Sequence, residues 1–348
     1  MGKYITELNI SQFRGINELE MKNIGDVNLL VGNNNVGKTS VLEAIKILSQ
    51  PADVGNLVKT AVSRYSGTKN FMDTFLSIFQ KKSPDSGDYN TQDVYEINIS
   101  CKTTSKNISL GIMGYISEKL KLGNNENDLE NIKKVFEASA IVDIDGKKEH
   151  NSFSIDSAEV DIDTTAKEFN ALFMPVNIST YRSCVNMYTE VLKLQDKEDF
   201  IKIMQIFDEN IYDINIIDDL IWIQNRKKGT MPLFSYGAGM QKALLLGMVI
   251  TLARNGVVLI DEIDTAMHAG VLKEVFSFFI KACKKMNVQA FVTTHSIEAV
   301  DSALYGANEF LKDVRVITFR QKSKTYARVL TGKQALEDRE NYEMELRI

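Results

Sequence analysis

The chain has 348 residues, a formal net charge of −5 and three cysteines. A chain of this length buries roughly three quarters of its unfolded surface, which suffices for one large domain or two lobes. The acidic balance gives no overall basic surface for nucleic acid or for an anionic membrane. The cysteines lie far apart, without metal-ligand spacing, and indicate reduced thiols in a cytoplasmic protein. No stretch is long and apolar enough to span a bilayer, so we expect no membrane partner.

The first predicted elements are two or three strands over residues 4–31, with a tight turn at the stretch FRGIN. Within them, the run VNLLV (27–31) is apolar and predicts a buried strand. A helix is predicted over 38–50, because apolar residues recur there at helical spacing and Pro51 ends the pattern. Between this strand and this helix, VGNNNVGKTS (31–40) fits the pattern G-x-x-x-x-G-K-[ST] of a phosphate-binding loop. The sequence therefore predicts that phosphates bind at the helix N-terminus.

The phosphate-binding loop combines residues with distinct chemical roles. Its glycines let backbone N–H groups turn towards the phosphates, Lys38 reaches the β and γ oxygens, and the Thr39 hydroxyl binds Mg²⁺. No N-K-x-D motif, which would read a guanine base, follows the loop, so a GTPase is disfavoured. The candidate nucleotide-binding residues of the loop are Gly32, Asn33, Asn34, Asn35, Val36, Gly37, Lys38, Thr39 and Ser40.

The middle of the chain changes from a mixed to an alternating hydrophobic pattern. Residues 52–92 are polar and mixed, with a helical stretch at MDTFLSIFQ. The stretches VYEINIS, ISLGIMGYI, SAIVDIDG and SFSIDSAEV alternate like antiparallel strands, with a hairpin turn at the Asp-Gly pair 145–146. We expect DLENIKKVFEA (128–138) to interrupt them as a short helix and LFMPVNIST (172–180) to form a buried strand. Residues 185–228 are predicted to be mostly helical, without heptads.

Two apolar runs in the last third of the chain end in polar residues. NGVVLIDEID (255–264) predicts a buried strand that carries Asp261 to the sheet edge of the phosphate-binding loop. There Asp261 would hold Mg²⁺ through water, and Glu262 would polarise the attacking water as a general base. QAFVTTHS (289–296) repeats the pattern and places His295 where it could contact the γ-phosphate. These runs predict a hydrolytic centre.

The segment LFSYGAGMQKALLLGMVITLA (233–253) predicts a buried helix, because it is apolar on nearly all sides. Ser235 and Gly237 precede that helix, and its N-terminus is a second anion site. One nucleotide cannot use two distant helix N-termini of the same molecule. A second copy of the chain could supply this one, so the sequence favours a dimer.

The order of these motifs resembles that of the ABC-type ATPases. It is more closely similar to the OLD-like and SMC-like head ATPases, which include the RecF recombination mediators. The resemblance rests on LNISQFRGINELE and NLLVGNNNVGKTSVLEAI near the N-terminus and on residues 233–300. It identifies SYGAG as the signature, VVLIDEID as Walker B, TAMH as the D-loop and VTTHS as the switch-histidine segment. Residues 55–230 match only in general layout.

The resemblance implies an ATPase that uses ATP and Mg²⁺. By analogy with the family, Glu262 and His295 would be the catalytic residues, and Thr39 and Asp261 would serve the metal. Arg14, in the FRG stretch, would approach the nucleotide phosphates. The alternative for Arg14 is an exposed cation in a turn.

The resemblance also implies that the chain is its own partner, in an ATP-dependent homodimer or a larger assembly. Asp264 and His268 of the D-loop would lie at the dimer seam. The signature residues that would act on the nucleotide of the opposing subunit are Ser235, Gly237 and Gly239.

The implied fold class is α/β: an ABC-type P-loop ATPase head with a mixed central sheet, an antiparallel β subdomain and a helical lobe. We expect one head of two lobes over residues 1–348. It is divided into a P-loop lobe (1–180) that contains the β subdomain (about 90–175), a helical and signature region (181–255), and the Walker B and switch-histidine part (256–348). The signature departs from the transporter sequence Leu-Ser-Gly-Gly-Gln. Gln50 and Gln92 are weak candidates for the Q-loop glutamine. We expect neither long coiled-coil arms nor a TOPRIM nuclease domain.

Three functions remain open at this point. The favoured one is an ATP hydrolase whose head dimerisation controls a partner effector, such as a nuclease or toxin, in bacterial anti-phage defence. The second is a RecF-like repair clamp that binds DNA through local basic clusters, such as NRKKG (225–229) and Lys281, Lys284 and Lys285. The third is a scaffold that hydrolyses ATP slowly and holds an effector silent.

Overall fold

The computed structural model describes residues 4–64, 70–82, 93–121, 131–156, 167–174, 181–265, 267–342 and 345–346. Two hairpin strands, β1 (Ile5–Phe13) and β2 (Ile16–Met21), begin the fold, and the wholly buried strand β3 (Val27–Val31) follows them. The helix α1 (Lys38–Leu48) starts within the phosphate-binding motif. The strands, the turn at FRGIN and the helix expected from the sequence are thus confirmed.

An antiparallel sheet occupies one side of the molecule. Two short helices, α2 (Val54–Val62) and α3 (Phe71–Leu76), lead into its later strands. These strands are β4 (Gln80–Lys82), β5 (Val94–Thr103), β6 (Asn107–Lys121), β7 (Asn131–Ile144) and β8 (Lys147–Ile155). The strand order is β2-β1-β5-β6-β7-β8, and β4 pairs with β5. Asp145 and Gly146 join β7 to β8 with φ angles of 51° and 84°, which confirms the predicted hairpin turn.

A second sheet, mostly parallel, crosses the middle of the molecule. Its strands besides β3 are β9 (Ala171–Met174), β13 (Val257–Ile260), β14 (Gln289–Thr294), β15 (Val314–Gln321) and β16 (Thr325–Thr331). Their order is β16-β15-β3-β14-β13-β9, and among these described strands only the β15–β16 pair is antiparallel. Residues from both ends of the chain therefore build one sheet.

Helices cover the face of the parallel sheet opposite α1. They are α4 (Tyr181–Lys193), α5 (Lys197–Phe207), α6 (Ala238–Leu252), α7 (Ala269–Lys285) and α8 (Ile297–Ala307), with α9 (Gly332–Tyr342) near the C-terminus. A small antiparallel sheet of β10 (Ile211–Ile217), β11 (Leu220–Asn225) and β12 (Gly229–Pro232) lies between α5 and α6 in the chain. Helix α6 is buried along most of its length, as its apolar sequence predicts.

Alternate residues of the parallel sheet face two separate hydrophobic cores. In β13, Val257 and Leu259 belong to the core shared with α1 and the antiparallel sheet. Val258 and Ile260 belong to the core shared with helices α4 to α8. Successive side chains point to opposite faces of a strand, so a strand buried on both faces is apolar throughout. The fold therefore has three layers, and its middle layer is the sheet whose strand ends carry the predicted motifs.

The predicted helix DLENIKKVFEA is wrong where the structure describes it. Residues 131–138 belong to β7, which pairs with β6 from Asn131 to Ile144. From Phe136 to Val142, alternate side chains are buried, and this period of two belongs to a strand. The long ladder with β6 overrides the weak helical preference of the Glu and Lys residues.

The predicted helical stretch 185–228 is right only as far as Phe207. Beyond it, β10 and β11 form a hairpin rich in isoleucine, which favours strands. Asp218 and Asp219 connect them with φ angles of 49° and 56°, as in a two-residue type I′ turn. This turn is not recognisable in the sequence, because its residues are Asp-Asp and the usual residue pairs of a type I′ turn are Asn-Gly and Asp-Gly.

Some predictions fall partly outside the described residues, and one stays a prediction. In the strand predicted at 172–180, residues up to Met174 form β9, and 175–180 lie outside the described residues, as does Gln92. The division into segments 1–180, 181–255 and 256–348 stays a prediction. Within the part of the chain that the structure describes, no helix is both long and apolar enough to cross a membrane.

Candidate active site

Three of the predicted motifs meet at one edge of the parallel sheet. Strands β3, β14 and β13 are neighbours in the sheet and run in the same direction. Their carboxyl ends carry the phosphate-binding loop after Val31, His295 after Thr294 and the Asp261–Glu262 pair after Ile260. Open parallel sheets bind ligands at this edge. The structure thus brings together residues that are more than 200 positions apart.

Gly37 shapes the last turn of the phosphate-binding loop. Its φ of 96° lies in the region that only glycine adopts without strain, and a Cβ atom there would approach Ile16 Cγ1 to 2.8 Å. Gly37 is also the N-cap of α1 and provides no side-chain cap. The start of α1 therefore presents backbone donors and the positive end of the helix dipole to an anion. Asn33, Asn34 and Asn35 form the exposed rim of the loop.

The Lys38 ammonium closes the loop on itself. Its Nζ donates to the carbonyl oxygens of Gly32 at 2.7 Å and Asn33 at 2.8 Å. Burial lowers the pKa of Lys38, while the nearby carboxylates of Asp261, Glu262 and Asp264 raise it. These carboxylates favour the charged form that phosphate oxygens require.

A hydroxyl and a carboxylate lie together beneath the loop. Thr39 Oγ1 donates to Asp261, at 2.9 Å from Oδ1 and 3.1 Å from Oδ2. Both are hard oxygen ligands of the kind that Mg²⁺ prefers, and Mg²⁺ commonly takes only one or two protein ligands besides water and phosphate. No cluster of three or more His, Cys, Asp or Glu residues suited to a metal occurs among the described residues. The residues present therefore fit a metal shared with a nucleotide.

Glu262 and His295 lie side by side at the mouth of the site. The Glu262 side chain is 37% exposed and that of His295 is 52% exposed, with His295 Nδ1 at 3.9 Å from Glu262 Oε1. Thr265 Oγ1 donates to Glu262 Oε2 at 3.1 Å. Glu262 has a φ of 47°, an uncommon value for a residue with a side chain. Both side chains therefore reach solvent next to each other, at the carboxyl ends of β13 and β14.

The signature segment forms a second, open helix N-terminus. Ser235 ends a short 3₁₀ turn (Leu233–Ser235), and Gly237 is the N-cap of α6 without a side-chain cap. Both residues are exposed, and a Cβ atom on Gly237 would meet nothing within 4 Å. Gly239 differs, because it is buried and a Cβ there would lie 3.6 Å from Val271 of α7. The structure gives Gly239 a packing contact and leaves Ser235 and Gly237 open.

The D-loop residues lie between Walker B and α7. His268 is exposed and forms the N-cap of α7 without a side-chain cap. Asp264 Oδ1 is buried, and no hydrogen-bond partner for it occurs among the described residues. Burial lowers the pKa of Lys242 on α6, whereas the Asp264 carboxylate raises it. Asp264 therefore acts electrostatically on both Lys38 and the signature helix.

Arg14 is not the exposed turn cation of the alternative interpretation. Its side chain is 10% exposed, and its Nε donates to Glu43 Oε2 at 2.7 Å. Arg14 Nη1 also donates to Ser77 Oγ at 3.2 Å. Arg64 binds the same Glu43 carboxylate through two contacts of 2.7 Å and donates to Ser40 Oγ at 3.2 Å. The approach of Arg14 to the phosphates stays a prediction.

Sequence reasoning missed Glu43, Arg64 and Thr293. The available signal for Glu43 was its place within the apolar run SVLEAI of α1. A carboxylate in such a buried position needs a cationic partner. Thr293 is wholly buried in β14, and its hydroxyl donates to Asp261 Oδ1 at 2.7 Å. Successive side chains of a strand point to opposite faces, so Thr293 points away from Thr294. Thr293 could therefore have been assigned to the face of the sheet that α1 covers.

Comparison with known proteins identifies a family and relatives of this chain. The family described as "AAA domain, putative AbiEii toxin, Type IV TA system" matches residues 109–301, which include the signature, Asp261 and His295. Uncharacterized protein MJECL11 of Methanocaldococcus jannaschii is 33% identical over 85 residues, or 24% of this chain and 75% of that protein. Uncharacterized protein MJECL10 of the same organism is 44% identical over 43 residues, 12% of this chain, and the match spans only 20% of that protein.

A solved structure of an SMC head shows the same fold at low sequence identity. An SMC head bound to the C-winged helix domain of ScpA has a TM-score of 0.52 and 13% identity, over 95% of this chain and 99% of that one. The SMC head domain from Thermotoga maritima has a TM-score of 0.47 and 12% identity, over 94% and 99% of the two chains. The chain belongs to the family described as AAA domain, putative AbiEii toxin, Type IV TA system, and it is an ATPase with the ABC-type P-loop fold of SMC-like heads.

Proposed function

We propose that two copies of this chain close around two ATP molecules and that this closure controls a partner effector protein. The observation that carries the proposal is an incomplete site. The phosphate-binding loop, Thr39, Asp261, Glu262 and His295 gather at one sheet edge, whereas the uncapped start of α6 stands open to solvent. An open helix N-terminus with free space around Gly237 suits the phosphates of a nucleotide held by another copy.

Each residue then has a defined task in hydrolysis. Lys38 and the loop N–H groups bind the phosphates, and Thr39 and Asp261 hold Mg²⁺, which neutralises charge on the phosphate oxygens. Glu262 accepts a proton as the oxygen of a water molecule attacks the γ-phosphorus and the bond to the β–γ bridging oxygen breaks. His295 contacts the γ-phosphate and responds to its loss. Ser235 and Gly237 act on the nucleotide of the opposing copy.

We assign the ATPase to bacterial anti-phage defence in the cytoplasm, with a nuclease or toxin as the controlled effector. The family description names a putative toxin of a toxin–antitoxin system, which supports a link to a toxic effector.

The alternative function as a DNA clamp receives less support, because ion pairs with carboxylates partly neutralise its basic clusters. Lys284 pairs with Asp313 and Lys228 with Asp208, each at 3.2 Å. An acidic chain with paired lysines is a weak polyanion binder.

The test is the solution mass of the Glu262→Gln variant, with and without ATP and Mg²⁺. This variant keeps the residues that bind ATP but loses the proton acceptor, so bound ATP should stay unhydrolysed. The ATP-bound protein should then shift from monomer to dimer. Lys38→Ala is the control, and it should stay monomeric because it lacks the phosphate contact. An ATP-independent mass in Glu262→Gln would overturn the proposed closure, and a wild-type turnover rate in Glu262→Gln would overturn the role of Glu262.

A further inference from the structure

Thr293 connects two neighbouring residues of the candidate active site, Asp261 and Glu262. Its Oγ1 donates to Asp261 Oδ1 at 2.7 Å and accepts the backbone N–H of Glu262 at 2.8 Å. The residue is completely buried in β14, in the strand beside β13. One hydroxyl thus binds the side chain of the predicted metal ligand and the main chain of the predicted general base.

The two hydrogen bonds constrain groups that would otherwise rotate. Asp261 follows the last residue of β13, and the Thr39 hydroxyl donates to its carboxylate. If that hydroxyl turned towards a metal ion, the carboxylate could rotate unless Thr293 held it. Glu262 adopts a φ of 47°, which costs energy for a residue with a side chain and persists only where neighbours hold it. The bond from its N–H to Thr293 is one such restraint.

We propose that Thr293 is a positioning residue of the Mg²⁺–ATP site, which orients Asp261 for the metal and holds the main chain of Glu262. This inference rests on the proposed function. Groups that orient a metal ligand commonly change metal affinity or activity by ten- to a hundred-fold when they are lost. Valine has nearly the shape of threonine, so Thr293→Val removes both hydrogen bonds of the hydroxyl with little change in packing volume.

The experiment compares Thr293→Val, Thr293→Ser and the control Thr251→Val. Thr251 is also buried, and its hydroxyl donates only within α6, to the carbonyl oxygen of Gly247. For each protein, the affinity for a fluorescent ATP analogue is measured in EDTA and across a Mg²⁺ titration, together with the ATPase rate. We expect Thr293→Val to keep its affinity in EDTA and to need about ten times more Mg²⁺ for half-maximal binding and turnover. Thr293→Ser and Thr251→Val should match the wild type.

Two results would overturn the positioning role. One is a wild-type Mg²⁺ midpoint in Thr293→Val, and the other is the same rise in Thr293→Ser, which retains the hydroxyl. The serine variant keeps the test decisive even if the valine variant folds poorly. Failure of the proposed function looks different, because the solution mass of Glu262→Gln would then be the same with and without ATP, whatever the Mg²⁺ midpoint of Thr293→Val.

Discussion

Glu43 holds two guanidinium groups with a single carboxylate. Its side chain is 1% exposed, Arg14 is 10% exposed and Arg64 is 41% exposed. Burial lowers the pKa of Arg14, and the Glu43 charge opposes that shift. The carboxylate therefore compensates the cost of placing Arg14 in the core beside α1. It also ties the turn after β1 and the end of α2 to the helix that follows the phosphate-binding loop.

We predict that Glu43→Gln lowers the free energy of unfolding by about 3 kcal/mol, because Arg14 would stay charged and lose its buried partner. The measurement is equilibrium denaturation by urea. The control is Glu20→Gln, which breaks the surface pair of Glu20 with Lys22, where both side chains are 57% exposed. That variant should change stability by less than about 1 kcal/mol. Equal effects of the two substitutions would contradict this account of Glu43.

The cysteines differ in their access to solvent. Burial raises the pKa of Cys101 to about 12 and also raises the pKa of the wholly buried Cys283. At pH 8 only about one Cys101 thiol in ten thousand is then ionised. Cys184 is less buried, although burial raises its pKa as well.

We predict that a thiol reagent applied to the native protein at pH 8 labels Cys184 well before Cys101 or Cys283, because the thiolate is the reactive form. Mass spectrometry of peptides after timed quenching measures the order. In urea all three thiols should react at similar rates. Faster labelling of Cys101 than of Cys184 in the folded protein would refute the prediction.

At the scale of single elements, the sequence predicts best where the hydrophobic period agrees with the residues that begin and end the element. The strand VNLLV, the helix after it and the buried helix α6 have one clear pattern each, and all three are confirmed. The stretch DLENIKKVFEA has charges that suit a helix, but its described part, residues 131–138, pairs with β6 and β8 and forms a strand. Pairing between distant segments is therefore what local patterns leave out.

The β10–β11 hairpin makes a testable case of hidden turn chemistry. Asp218 and Asp219 both hold positive φ angles, of 49° and 56°. Replacing them by Asn-Gly, the preferred pair for this turn, should raise the free energy of unfolding by about 0.5–1 kcal/mol, because left-handed backbone costs a side-chain residue about 1 kcal/mol. Urea denaturation measures the change. The reciprocal control is Gly146→Asp in the β7–β8 turn, where φ is 84° and a loss is expected. A loss of stability with Asn-Gly would show that this turn is wrongly assigned.

At the scale of the whole molecule, the predicted site residues lie together because parallel strands end at one edge of the sheet. The ends of β3, β13 and β14 could each be read from a local motif, and the sheet brings them together. Glu43, Arg64 and Thr293 act through contacts between separate elements, and no short motif marks such contacts. The sequence therefore predicts the groups expected to contact the nucleotide and misses the groups that would orient them.

The exposed start of α6 creates a conflict between monomer stability and the proposed dimer. Gly237 has φ −64° and ψ 161°, which suit an N-cap, and free space surrounds it. Gly237→Asp should therefore stabilise the monomer by about 1 kcal/mol, because the new carboxylate caps the helix and faces its positive end. In the Glu262→Gln background the same charge should prevent ATP-dependent dimerisation by repelling the phosphates held by the other copy. Thermal unfolding and solution mass measure the two effects.

Gly237→Asn separates charge from size in this test. Asparagine caps a helix nearly as well as aspartate and has almost the same shape, but it carries no charge. It should stabilise the monomer by only about 0.3 kcal/mol, because it lacks the charge that interacts with the helix dipole, and it should weaken ATP-dependent dimerisation less than aspartate does. Normal ATP-dependent dimerisation of Gly237→Asp in the Glu262→Gln background would place the α6 N-terminus away from the nucleotide. The open helix end would then need another partner, while the site built around Lys38 and Asp261 in one chain would be unaffected.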